Sequence, residues 1–314
     1  MYHETDSTRR SFIRTGALAL ALPALGRDAP STLPSRGRNY TRFQLACMTL
    51  PYGTFPFARA LTGIKSAGFN YVAWGTTHLE GGAKVPVLAK DATVAQAKAV
   101  GVQTRDAGLE PLMMFSTVYP EHAEALKILK QRILQAEAAG IGQVLTFGHT
   151  KGGKRKTWIE RFKQLGPIAR DHGVMIVVKQ HGGSTGTGEA CAEIVREVND
   201  PGIMVNYDAG NVMDYLDLDP IPDIRKCWKE VRSFCIKDHR NWPKDQDCGP
   251  GFGEIDHYRL LEPVAFTGRN MPLCFENIFQ PLVKRPTDAG DVDALARHAR
   301  AYVEAIVKGL RVQG

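Results

Sequence analysis

Four charged residues stand at the ends of four successive apolar runs late in the chain: Lys179, Asp208, Lys237 and Glu276. Amines and carboxylates together can move a proton to and from a carbon beside a carbonyl, and can hold the charge that develops on oxygen. The run ends read Lys179-Gln180-His181-Gly182-Gly183, Asn206-Tyr207-Asp208-Ala209-Gly210-Asn211, Cys235-Ile236-Lys237-Asp238-His239-Arg240 and Phe275-Glu276-Asn277. Side chains alternate along a strand. Lys179 therefore shares a face with His181, Asn206 with Asp208, Cys235 with Lys237, and Cys274 with Glu276. If the apolar residues between them face away, the polar ones meet in one cavity, with opposite charges alternating around it. Ionisable groups in such a place need partners.

The elements that carry these residues repeat. Past residue 42, short apolar runs alternate with longer amphipathic ones. Strands are expected at 43–49, 71–75, 110–116, 143–147, 174–179, 203–207, 232–237 and 273–276. Helices are expected at 57–67, 94–107, 121–139, 157–172, 188–198, 221–230, 255–266 and 292–308. Eight βα units predict an α/β chain closed into a single (β/α)8 TIM barrel over 43–314. Gly68, Gly108, Gly140 and Gly173 sit where left-handed helix caps are wanted. An open doubly wound sheet would need a phosphate-binding glycine fingerprint after the first strand. Leu50-Pro51-Tyr52-Gly53 is not one, so no nucleotide cofactor is expected. Barrel enzymes place catalytic groups at the C-terminal strand ends, where the four charges lie.

Each candidate carries two readings. Glu276 and His181 are candidate acid/base groups; the alternatives are a salt bridge from Glu276 to Lys179 or Lys237, and a structural histidine. Gly182-Gly183 would let a substrate approach the backbone beside His181. Lys179 is a counter-ion, a contact to a substrate hydroxyl or phosphate, or a base of depressed pKa, and Lys237 is a second cation. Asp208 is a metal ligand or a capping residue for the Gly210 turn. Asn206, His149, Arg240 and Trp74 are candidate substrate contacts, Arg240 as a clamp for anionic or hydroxyl-rich groups. Trp74 and Phe147 either stack on a sugar face or fill the core. His78 follows the second strand as His149 follows the fourth.

The segments VVKQHGG, NYDAGN, CIKD, GFGEID and CFEN fall, between 174 and 276, in the order found in xylose-isomerase-like barrels. The chain resembles that superfamily over roughly residues 43–308. The resemblance implies a sugar isomerase or epimerase that transfers a proton next to a carbonyl of a small carbohydrate or polyol derivative. Many members hold one divalent metal with a Glu after the fifth strand, an Asp after the sixth, a His in the seventh and a Glu after the eighth. By position Asp208 and Glu276 match, whereas Lys179 and Cys235 stand in place of the first Glu and the His. Two carboxylates at one rim repel unless a cation lies between them. That cation is either a metal (Mn, Mg, Zn or Co) held by Asp208, Glu276 and His181 or a Cys235 thiolate, or the ammonium of Lys179 or Lys237. A keto-sugar lyase or hydratase and a non-catalytic exported carbohydrate-binding protein are the rival readings. A three-zinc nuclease site is not expected, because the histidines are scattered.

Composition narrows the partners. The net charge of +7 is spread over a mixed surface, so no nucleic-acid partner is expected. The basic run Lys151, Lys154, Arg155 and Lys156 reads as a solvated helix start. None of the six cysteines forms a CxxC pair, and mostly free, buried thiols are expected. Residues 1–26 place Arg9-Arg10 before the apolar run 16–25, the pattern of a twin-arginine export signal. Residues 27–42 read as a linker. The apolar run is too short for a stable membrane anchor, so a periplasmic protein is expected; a homo-oligomer stays open.

Overall fold

The computed structural model describes residues 39–312. The expected export signal, residues 1–26, and most of the linker lie outside the described residues.

In chain order the strands are β1 (Arg42–Met48), β2 (Tyr71–Trp74), β3 (Thr77–Glu80), β4 (Ala83–Pro86), β5 (Glu110–Phe115), β6 (Gln143–Thr146), β7 (Met175–Lys179), β8 (Ile203–Asp208), β9 (Val231–Ile236), β10 (Asp238–Arg240), β11 (Gln246–Cys248) and β12 (Asn270–Phe275). The helices are α1 (Phe57–Ser66), α2 (Val94–Asp106), α3 (Ala125–Ala139), α4 (Arg155–Asp171), α5 (Gly188–Val198), α6 (Ala209–Leu216), α7 (Pro220–Cys227), α8 (His257–Leu261) and α9 (Ala289–Val312). Eight parallel strands close in the order β1-β12-β9-β8-β7-β6-β5-β2, the expected single (β/α)8 barrel. The remaining four strands form two antiparallel hairpins, β3–β4 and β10–β11, set on loops that follow barrel strands.

Strand alternation sorts the apolar residues into two layers. Val178, Tyr207, Ile236 and Phe275 belong to the large core between barrel and helices. Val177, Cys235 and Cys274 fill the barrel interior with Ala46, Met48, Ala73, Met113, Phe115 and Leu145. The polar residues that share parity with this inner layer are therefore carried to the mouth, as the alternation requires. Lower in the barrel, buried Asn206 donates to Ser233 Oγ at 2.8 Å.

Helix ends follow the expected chemistry. Gly68, Gly108, Gly140 and Gly173 all take positive φ; at Gly140, φ 75°, the N–H reaches back to Glu137 O and closes α3. Three helical elements differ from the pattern read in the sequence, besides the two hairpins. The helix expected from 121 starts at Ala125, after Thr117 takes a positive φ. The helix expected at 255–266 is the short α8 followed by a 3-10 turn over Glu262–Val264. An additional helix, α6, starts directly after β8. All six cysteines are free and buried. Among the described residues, no helix is long and apolar enough to cross a membrane.

Candidate active site

Lys179 closes β7 and points into the mouth. Its ammonium donates to Glu276 Oε1 at 2.7 Å and Oε2 at 2.9 Å, and lies 3.1 Å from Asp208 Oδ2. Lys237 follows β9. Its ammonium donates to Asn211 Oδ1 and, at 2.6 Å, to Asp247 Oδ2. It stands 3.9 Å from Asp208 Oδ1 and 3.9 Å from Glu276 Oε2. Two ammoniums thus share three carboxylates. Asp208 is sealed, whereas the side chain of Glu276 keeps 17% of its surface open to solvent. Buried charges persist only when paired in this way.

Local backbone chemistry fixes the arrangement. Asp208 ends β8 and caps α6, its Oδ1 accepting from Asn211 N at 3.0 Å. The Asp208 N–H donates to Gln180 Oε1 at 2.7 Å, and the Asn211 amide donates to Gln180 O at 2.7 Å. Of the two sequence readings of Asp208, the capping one is seen: it caps a helix with one oxygen and faces Lys179 with the other. Gly210 leaves room for the Lys237 stem, whose Cε would lie 2.5 Å from any Cβ there. Asp247 arrives through the β10–β11 pairing His239↔Asp247. Its Oδ1 lies 3.1 Å from His239 Nδ1.

These contacts drive the two central carboxylates apart. Burial raises Asp208 to about 6, and Lys237 and Lys179 only partly oppose it. Burial also acts to raise Glu276, but Lys179 and then Lys237 outweigh it and hold the carboxyl at about 2. Burial works against the Lys179 charge, yet Glu276 and its neighbours keep its pKa well above the usual lysine range. Carboxyl groups separated in this way are suited to different proton-transfer roles.

His181 stands near the cluster, and the Phe147 ring neighbours both. The Phe147 ring is 5.5 Å from Lys179 Nζ and 4.5 Å from the His181 ring. His181 Nδ1 lies 2.7 Å from Gly148 O. A carbonyl oxygen only accepts, so Nδ1 carries the hydrogen and Nε2 the lone pair. Burial lowers the His181 pKa and nearby Lys179 lowers it further, so the ring is neutral at pH 7. Gly182 and Gly183 serve a different purpose from the one expected. A Cβ on either would run into backbone oxygens of Thr150, Gly152 or His149. Their bareness seats the neighbouring loop against the chain, rather than admitting a substrate.

The other expected contacts are dispersed. His149 is half exposed, lies with its ring tilted against Tyr119 at 4.1 Å and pairs with Glu121. Arg240 donates to Trp242 O. Trp74 is buried against Phe57, with its indole N–H on Thr104; no ring face is left for a sugar. His78 uses both ring nitrogens, on Phe55 O and Thr49 Oγ1. His239 is tied to Asp245 and Asp247. Gln180, Asn211 and Asp247 were not singled out by the sequence reading. Gln180 and Asn211 lie within the segments that carry the resemblance, but only the contacts to Asp208 and Lys237 reveal their part.

The sequence of residues 61–301 matches the family described as xylose isomerase-like TIM barrel. The chain belongs to that family. Three solved structures share the fold. A xylose isomerase-like TIM barrel/4-hydroxyphenylpyruvate dioxygenase fusion protein aligns at TM-score 0.65 and 18% identity over 87% of this chain, which spans 44% of the fusion's length. A xylose isomerase-like TIM barrel protein from Mycobacterium smegmatis in complex with magnesium gives 0.66 and 16%, covering 85% of this chain and 97% of that one. L-Ribulose 3-epimerase gives 0.65 and 17%, covering 86% and 96%. No curated protein matches the sequence.

In many members of this family a divalent metal lies between the mouth carboxylates. Here Asp208, Cys235 and Glu276 each offer a ligand atom, all within 4.8 Å of one another, as do Asp214, His239 and Asp245. His181 belongs to neither group, so the expected set of Asp208, Glu276 and His181 is not assembled. At the central group the Lys179 ammonium is already bonded to Glu276 and in contact with Asp208, and burial keeps Cys235 a neutral thiol. As arranged, these residues do not fit the family's metal.

Proposed function

We propose that the chain is an isomerase or epimerase of a sugar or polyol derivative, in which the Lys179 ammonium takes the cation position between Asp208 and Glu276. The observation that carries this reading is the Lys179 contact with both carboxylates at the barrel mouth, beside a neutral His181. Membership of the family and the fold shared with L-ribulose 3-epimerase support it. The substrate's carbonyl and adjacent hydroxyl oxygens bind Lys179 and Lys237. His181 Nε2 takes the proton from the carbon next to the carbonyl, and the electron pair moves onto oxygen as an enediolate held by the ammoniums. Proton return to the opposite face gives the epimer; return to the neighbouring carbon gives the isomer. Glu276, the more open carboxylate, is the second proton-transfer group, and its basicity recovers once substrate oxygens compete for Lys179. The residues 1–26 reading adds a periplasmic location, which fractionation of the tagged full-length chain tests.

The test is solvent-deuterium exchange, followed by NMR, across a panel of ketoses, aldoses and keto-glycosides. Deuterium should enter at the carbon beside the carbonyl and should be lost in Lys179→Met and His181→Gln. Absence of exchange across the panel contradicts the reading, and a product double bond identifies a lyase instead.

A further inference from the structure

A second group of ligand-bearing side chains gathers between α6 and the β10–β11 hairpin. Asp214 comes from α6, His239 from β10 and Asp245 from the turn that joins β10 to β11. One ligand atom from each lies within 4.8 Å of the others. His239 is fully buried, Asp214 half-buried and Asp245 exposed, so the group opens to solvent on one side.

The imidazole decides what this group can hold. His239 Nδ1 lies 3.1 Å from Asp247 Oδ1. A carboxylate oxygen accepts, so Nδ1 carries the hydrogen and Nε2 the lone pair. Nε2 is buried and has no hydrogen-bond partner, although Asp245 Oδ1 stands only 2.9 Å away. The carboxylate therefore sits beside the axis of the ring nitrogen, not along it. A proton on Nε2 would point past Asp245. Two ligands of one metal ion stand in this relation: at bond lengths of about 2.0–2.2 Å, adjacent donor atoms are about 3 Å apart and each points at the ion. A carboxylate on the far nitrogen, here Asp247, is the usual support of a metal-bound imidazole. Charge asks for a cation as well. Of Asp214, Asp245 and Asp247, the Lys237 ammonium pairs with Asp247, and Asp208 and Glu276 share it. Burial and then Asp247 raise the Asp214 pKa above the usual aspartate value, as expected of a carboxylate short of a cation.

We propose that Asp214, His239 and Asp245 hold a divalent cation of the Zn²⁺ class, at a place distinct from the one Lys179 fills between Asp208 and Glu276. An imidazole nitrogen with carboxylates suits Zn²⁺ or Co²⁺ better than Mg²⁺ or Ca²⁺, which prefer oxygen alone. The ion ties α6 to the β10–β11 hairpin. Through His239 it holds Asp247, and through Asp247 it holds the Lys237 ammonium, 2.6 Å away. Three protein ligands leave a fourth position toward solvent for water.

Calorimetric titration of the tag-free full-length chain with Zn²⁺, after dialysis against a chelator, tests the site. Wild type should bind one equivalent. Asp245→Asn changes an exposed turn residue and should weaken binding at least tenfold, as should Asp214→Asn. Glu276→Gln should bind within twofold of wild type. Zn²⁺ should raise the melting temperature of wild type and leave that of Asp245→Asn in place; the same scans show that the variant is folded. Absence of stoichiometric binding by wild type overturns the proposal and assigns the His239 charge to a second proton. Wild-type affinity retained by either aspartate variant also overturns it. Binding lost in Glu276→Gln places the ion in the central group and overturns it too. Zn²⁺ binding is read without turnover, so failure of the isomerase reading leaves this site standing.

Discussion

Replacing Lys179 by Met removes the ammonium while keeping most of the stem. Its nitrogen sits 2.7 Å from one Glu276 oxygen and 3.1 Å from Asp208 Oδ2, and Asp208 is sealed from solvent. Removing one partner of a buried ion pair costs about 3–5 kcal/mol, because the stranded charges remain buried. Asp208, already raised to about 6, relieves part of this by taking up a proton. The folded variant then binds a proton that the unfolded chain does not, so its stability falls as pH rises through that window. The expected loss is about 3 kcal/mol at pH 8. It should shrink at pH 5 by at least about 1.4 kcal/mol, the equivalent of one pKa unit. Denaturant midpoints at the two pH values, for wild type and variant, measure this. Adding Glu276→Gln to Lys179→Met should recover about 1 kcal/mol at pH 8, since two carboxylates no longer face each other. A variant as stable as wild type at pH 8, or equally destabilised at both pH values, would refute the reasoning.

Other expectations follow from particular contacts. Gly210→Ala should push the Lys237 stem from its place, lowering kcat at least tenfold while moving the melting temperature only a few degrees; steady-state kinetics beside calorimetry separates the two. The His181 base works only when neutral and its pKa lies below the ordinary 6.5. The acid limb of the kcat/KM profile should therefore have its midpoint below 6.5, and a midpoint above 7 would exclude His181 as the base. The six buried thiols should resist a thiol-specific reagent in the native protein and titrate only in denaturant; burial raises the pKa of the Cys235 thiol well above its ordinary value.

The barrel was legible because its signal is periodic. Eight apolar runs are spaced by amphipathic ones, and alternation within them puts Lys179, Asp208, Lys237 and Glu276 on the inner face. Elements with no period were not legible. The sequence Ala209-Gly210-Asn211 reads as a turn, but Asp208 caps it and Val212 supplies a buried side chain, so it forms the start of α6. The β10–β11 hairpin is three residues per strand, too short to register as a strand pattern, yet it delivers Asp247 to Lys237. Trp74 illustrates the opposite error. Its parity with the chemistry-bearing positions cannot be judged from sequence, and packing against Phe57 decided its place. The Gly182-Gly183 pair shows that a bare backbone can serve a neighbouring loop as readily as a ligand.

Titration of the full chain with Mn²⁺, read by electron paramagnetic resonance, addresses the lysine-centred site most directly. Wild type should show no stoichiometric Mn²⁺ binding that Glu276→Gln abolishes, because the Lys179 ammonium holds the place between the carboxylates. Lys179→Glu, with Cys235→His, should gain one such site. Stoichiometric Mn²⁺ bound by wild type and lost in Glu276→Gln would mean that a metal, not the ammonium, occupies that position.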